Sequence, residues 1–148
     1  MKVTMLLADS AQAVSGKLYI LGGGWSIIGP DPTPFAIALK IEVPWDEANR
    51  PHRFSLALLN VDGQPVMVPT PDGPRPIEIQ GDLEVGRPAG LTPGTPLDSI
   101  AAFNFGPLPI PPGGRYVWRL TIDDRTDENW QAAFSTRPAG GGQPASRR

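Results

Sequence analysis

His52 is the only histidine in the chain, and there are no cysteines, so the range of possible chemistry is narrow. Thiolate metal sites, Cys nucleophiles, disulfides and metal sites needing two imidazoles from this chain are excluded. A Ser-His-Asp relay would have to run through His52, and there is no Gly-x-Ser-x-Gly elbow to serve it. His52 follows Pro51 at the head of an alternating run, which predicts a surface residue. Asp123, Asp124, Asp127 and Glu128 are acids that could ligate a hard cation such as calcium from a loop at the end of a β-domain. Arg125 stands at the third position of the EF-hand spacing and Glu128 replaces its glycine, so the pattern favours a solvated hairpin turn. Spacing alone does not exclude a carboxylate pair for glycoside hydrolysis. Glu78, Asp82 and Glu84, however, alternate with apolar residues and read as ordinary outward sheet surface.

Gly22-Gly23-Gly24 invites comparison with a phosphate loop. Such a loop links a strand to a helix and is followed by Lys-Ser/Thr to meet phosphate and metal. Here Trp25-Ser26-Ile27-Ile28 follows and continues as strand, and Ile27 occupies the last glycine position of a GxGxxG fingerprint. The triplet therefore predicts a glycine bulge inside a strand. Of the tryptophans, Trp118 and Trp130 fall on strand faces and belong to the core. Trp45, in the loop Pro44-Trp45-Asp46, either staples that loop to the domain or stands exposed as an anchor for a partner or a sugar. No catalytic, cofactor-binding or metal-binding residue is assigned from the sequence.

These residues must be held by β-structure. The 17 glycines and 19 prolines cluster between short apolar runs, the composition of an all-β domain rich in turns. Alternation predicts strands at 2–8, 35–43, 52–60, 77–85, 99–105, 115–122 and 130–135. A short strand at 65–68 follows the Asp62-Gly63 hairpin signal. Asp9-Ser10 predicts an N-cap for one helical turn through Ala13. The stretch from Lys17 to Gly29 is apolar on both faces at Leu18, Tyr19, Ile20 and Leu21, which predicts a central strand covered on two sides. Gly81 falls on the inward face of its strand and predicts a bend or bulge there.

Eight or nine short antiparallel strands, each with one apolar face, predict a single-domain β-sandwich, Ig-like or jelly-roll-like, over 1–136, with an open β-barrel as the alternative. The tail 137–148 has no apolar content and is expected to be disordered. With 13 basic and 15 acidic residues, the net charge is −2, and the charges are dispersed. The basic stripe of a nucleic-acid binder is absent. No run is long enough for a transmembrane helix, and Asp9 interrupts the apolar N-terminus before it reaches signal-peptide length. A cytoplasmic location is the expectation, with neither nucleic acid nor membrane as partner. The excess of Arg over Lys, with the Ala, Gly and Pro load, suggests a GC-rich coding sequence.

Leu7-Ala8-Asp9-Ser10-Ala11 followed by Gly16-Lys17-Leu18-Tyr19-Ile20-Leu21-Gly22-Gly23 resembles the opening of an uncharacterised family of small bacterial and phage-borne β-proteins. The Asp62-Gly63 hairpin, the Gly114-Arg115-Tyr116 strand entry and Ile122-Asp123 resemble later features of that family. The resemblance spans roughly residues 2–136 and implies a β-sandwich of bacterial origin, with no catalytic residue to carry over. The expected function is therefore non-enzymatic binding or scaffolding through protein–protein contacts, with a partner or with itself. The alternatives are a phage-related assembly component, and a carbohydrate- or metal-binding module or hydrolase.

Overall fold

A computed structural model describes residues 1–140. Twelve strands run in chain order: β1 (Lys2–Ala8), β2 (Ser10–Val14), β3 (Lys17–Leu21), β4 (Ile27–Ile28), β5 (Phe35–Val43), β6 (His52–Asn60), β7 (Met67–Val68), β8 (Arg75–Pro76), β9 (Glu78–Leu83), β10 (Leu97–Phe105), β11 (Arg115–Ile122) and β12 (Gln131–Thr136). A three-residue 3₁₀ turn, Trp45–Glu47, is the only helical element among the described residues. The count exceeds the expected eight or nine because β4 and β8 are separate two-residue strands beside Pro/Gly-rich connections and β2 replaces a predicted helix; β7 lies within the short strand expected at 65–68.

Two sheets pack face to face. One has the order β1-β5-β10 and the other β4-β12-β11-β6-β9. All pairs are antiparallel except β4 with β12. No sheet closes into a barrel, so the sandwich expectation holds. Alternation explains the layering, because successive side chains point to opposite faces of a strand. Ile37, Leu39, Ile41 and Val43 of β5 meet Leu56 and Leu58 of β6 and Trp118, Leu120 and Ile122 of β11 in one core, all at most 2% exposed. At one end the rings of Phe35, Phe105 and Trp118 stack in sequence, with centroids 5.0 and 5.3 Å apart. Trp118 is fully buried, and Trp130 packs half-buried against the same core.

Several expectations are corrected. Residues 10–14 form a strand, because Ser15 and Gly16 adopt positive φ (51° and 77°) and fold Ser10–Val14 onto Lys17–Leu21 as a tight hairpin. Two successive positive-φ residues are the signature of a type I′ turn, whose twist matches that of antiparallel strands. The stretch Lys17–Gly29 is consequently no central strand. β3 pairs only with β2, and Tyr19 and Leu21 are exposed. The strand buried on both faces is β5, whose inward residues fill the core while its outward Ala36 and Ala38 lie under the β2–β3 ribbon.

The glycine triplet is a loop leaving β3 rather than a bulge, with φ of 64° at Gly22 and 92° at Gly24. Pairing runs unbroken through Gly81, which faces Phe54. A Cβ there would lie 3.0 Å from the Phe54 ring, so the missing side chain makes room for an aromatic across the strand instead of bending the chain. Arg137, expected in the tail, donates its backbone N–H to the Ile28 carbonyl at 2.9 Å and its guanidinium to the Gly29 carbonyl at 2.9 Å. The rest of the predicted tail, from 141 onward, lies outside the described residues.

Candidate functional site

His52 opens β6 at 2% exposure, which overturns its expected surface position. Its run alternates toward the core, and the neighbouring hairpin turn closes over it. That turn is Asp123-Asp124, both at positive φ (51° and 63°), between the paired residues Ile122 and Arg125. The imidazole donates from Nδ1 to Asp123 Oδ2 at 2.6 Å and from Nε2 to the Glu47 carbonyl at 2.8 Å. Asp123 Oδ1 accepts the Arg53 N–H at 3.1 Å, and the Asp123 N–H donates to the Arg53 carbonyl at 2.8 Å.

Burial alone would pull the His52 pKa down. The hydrogen bonds to Asp123 and Glu47 and the negative charges of both side chains outweigh it and hold the pKa above its ordinary value. The same hydrogen bond holds the Asp123 carboxyl below its ordinary range, assisted by the Arg53 N–H and by the charges of His52 and Arg125. Both ring nitrogens donate to oxygen acceptors, so neither offers a lone pair to take a proton from a nucleophile. The group is an ionic pin joining the 3₁₀ turn, the head of β6 and the β11–β12 turn.

The remaining sequence candidates do not converge on it. Asp127 Oδ1 accepts the Asn129 N–H at 2.8 Å as an Asx turn, and Asp124 and Glu128 are exposed. Among the described residues, no three His, Cys, Asp or Glu side chains are grouped to hold a metal ion. Glu78 accepts the Ser55 hydroxyl at 2.7 Å on the sheet surface, and Asp82 sits opposite Arg53 in the β6–β9 register. The glycine loop wraps the end of β1. Gly24 donates its N–H to the Leu7 carbonyl at 2.7 Å, and the Asp9 N–H donates to the Leu21 and Gly22 carbonyls at 3.0 and 3.1 Å. The Asp9 carboxylate fills the space beside Gly22. A loop with a carboxylate against it and its Gly24 amide already spent is a poor phosphate cradle. Trp45 is half-buried under the Arg87 guanidinium, 4.9 Å above its ring, and its carbonyl accepts both Nε and Nη2 of Arg87 at 3.0 and 2.6 Å. It serves as the staple of its loop.

The feature that sequence reasoning missed is the β2–β3 ribbon on the outer face of the β1-β5-β10 sheet. Ala11, Ala36 and Ala38 form a small-residue seam, with Leu18 and Ala102 packed against it. Short side chains let the ribbon backbone approach the sheet closely. Asn104 of β10 grips that backbone, its Oδ1 accepting the Ala11 N–H at 3.2 Å and its Nδ2 donating to the Ala11 carbonyl at 2.7 Å. An amide side chain thus does what a neighbouring strand would do.

With its inward face spent on this seam, the ribbon presents Val14, Tyr19 and Leu21 outward, 47%, 56% and 69% exposed. The signal available in the sequence was Ser15-Gly16, a two-residue turn between segments of equal length. Reading it as a hairpin would have moved Tyr19 and Leu21 out of the core.

A family model for a family of unknown function, DUF6941, matches residues 3–132. The chain belongs to that family. No match is found among the curated proteins or among the solved structures. No helix among the described residues is long and apolar enough to cross a membrane.

Proposed function

We propose that this chain is a non-enzymatic binding protein of the bacterial cytoplasm that acts through protein–protein contacts, with the outer face of the β2–β3 ribbon as its contact surface. The observation that carries the reading is the joint exposure of Val14, Tyr19 and Leu21 on a ribbon fixed to the sheet by Asn104. Isolated exposed apolar residues are ordinary, but a cluster on one fixed element marks a place to be covered. Burying a large apolar side chain contributes about 1.5–3 kcal/mol, and a ribbon already held in place loses little entropy on docking. Tyr19 adds a hydroxyl at the rim, as anchor residues at interfaces commonly do. The absence of cysteine and the spent ring nitrogens of His52 argue in the same direction.

The test is site-specific photo-crosslinking in cells, with a benzoylphenylalanine at position 19 and a control at Arg119 on the opposite sheet. One identified protein crosslinked from position 19 and lost on adding Leu21→Asp is the expected result. Equal products from both positions, or none from 19, would sink the reading. A thermal-shift screen in which a sugar, a nucleotide or calcium raised the unfolding midpoint would favour the ligand-binding alternative.

A further inference from the structure

The two edges of the ribbon differ in a way that names its partner. On the β2 edge, Ala11 gives both its backbone groups to Asn104. In an antiparallel ladder, residues facing their partner strand alternate with residues facing away. Since Ala11 faces away from β3, the hydrogen-bonded pairs within the ribbon are Ser10–Leu21, Gln12–Tyr19 and Val14–Lys17 in the observed register. The backbone N–H and C=O groups of Leu18 and Ile20 then point away from β2, along an edge that no strand among the described residues covers.

Unpaired edges are usually guarded by charge, proline or a bulge. Most outer strands of the sandwich follow that rule: β9 carries Glu78 and Asp82, β10 carries Asp98, and β4 is two residues long beside Pro30, while β1 has a single lysine at its end. β3 reads Lys-Leu-Tyr-Ile-Leu, with one charge, at its end, and no proline.

We propose that β3 pairs antiparallel with β3 of a second copy of this chain across a two-fold axis at Tyr19. The inference rests on the reading of the ribbon as a protein-contact surface and commits it to self-association. This is the register that uses both open residues. Leu18 exchanges both backbone hydrogen bonds with Ile20 of the other copy, Ile20 does the same with Leu18, and Tyr19 lies opposite Tyr19 as a non-hydrogen-bonded pair, where side chains come closest. Registers centred on Leu18 or Ile20 each leave one open residue facing a turn. The charge pattern agrees, because Lys17 falls opposite Leu21 and no like charges meet. An isologous contact of this kind closes as a dimer and leaves no further edge for growth.

Because the chain has no cysteine, Tyr19→Cys reports the axis directly. Non-hydrogen-bonded pairs bring Cα atoms to about 4.5 Å, within disulfide range. The Tyr19→Cys variant is expected to oxidise to a covalent dimer at least about tenfold faster than Val61→Cys, placed on a 71% exposed loop residue away from the ribbon. Sedimentation equilibrium of the unmodified chain is expected to show a concentration-dependent dimer. Tyr19→Lys, which sets two like charges on the axis, is expected to abolish it with an unchanged near-UV circular dichroism spectrum, while Tyr19→Phe retains it. Equal oxidation rates for the two cysteine variants, or a wild-type monomer throughout the concentration range, would overturn the self-pairing. If the wild type is monomeric but position 19 still photo-crosslinks one different protein, the contact surface stands and the self-pairing falls. If neither occurs, both fall.

Discussion

At the scale of single residues, His52 shows how a group that looks catalytic becomes structural once both its nitrogens are committed. Its pKa lies above the ordinary 6.5 in the folded chain. Its contribution to stability is therefore complete below 6.5 and is lost as pH rises through the folded value. Asp123 has a pKa below its ordinary 3.8. Its contribution is complete above 3.8 and is lost as pH falls through the folded value. The charges facing the pair are Glu47 from the 3₁₀ turn and Arg125 beyond the β11–β12 turn. Stability is expected to be greatest between about pH 4 and 6.5 and to decline above neutrality. Urea midpoints measured from pH 4 to 9 check this, and in His52→Gln the alkaline decline should disappear.

Gly22 offers a second prediction at the same scale. Its φ of 64° and the Asp9 carboxylate beside it both exclude a side chain. Gly22→Ala should cost about 1–3 kcal/mol by denaturant unfolding. Gly23→Val should also destabilise, because its Cβ would lie 2.7 Å from the Ile20 Cγ2 methyl, which a β-branched side chain cannot easily swing aside.

At the scale of elements, legibility followed the length of the alternation. The sequence-derived bounds of β1, β5, β6 and β11 agree with the observed ones, because seven to nine alternating residues fix both the strand and its buried face. β2 failed because Ser-Ala-Gln-Ala-Val has little apolar content and helix-friendly alanines. Its strand state comes from tertiary partners, chiefly Asn104 and the alanine seam, which no local propensity records. β3 failed for the complementary reason. Four apolar residues in a row read as doubly buried, yet only Leu18 of Lys17–Leu21 is half-buried. An apolar run tells how much surface wants covering without telling whether the same chain covers it.

Asn104 is where the ribbon can be loosened selectively. Asn104→Ala removes two side-chain hydrogen bonds to Ala11 and exposes those backbone groups to solvent competition, an expected loss of about 1–3 kcal/mol. Native-state hydrogen exchange should show faster exchange of the amides at 10–21, with the amides of β5, β6 and β11 unchanged. Equal acceleration throughout the sandwich would mean that ribbon and sandwich open as one unit.

At the scale of the whole molecule, the sandwich was legible because its evidence is redundant: many short alternating strands, dispersed turn residues and no long amphipathic helix all point one way. Sheet order was not, since β5 takes as neighbours β1, which precedes it, and β10, which follows only after four intervening strands. The His52 pin was illegible for the same reason, its Asp123 partner being 71 residues away. What unites the two sheets is the core around Trp118, which stacks on Phe105 of the facing sheet at 5.3 Å and is fully buried. Trp118→Ala should cost about 3–5 kcal/mol, a fall in Tm of roughly 2–4 °C for each kcal/mol at this chain length. That loss should appear as one cooperative transition by calorimetry and far-UV circular dichroism alike, because the variant weakens the contact between sheets rather than either sheet alone. Asn104→Ala should instead leave the main transition nearly in place while ribbon exchange accelerates. The two variants together separate a ribbon that can open for a partner from a sandwich that must stay shut, and a Trp118→Ala protein that lost only the ribbon would contradict that division.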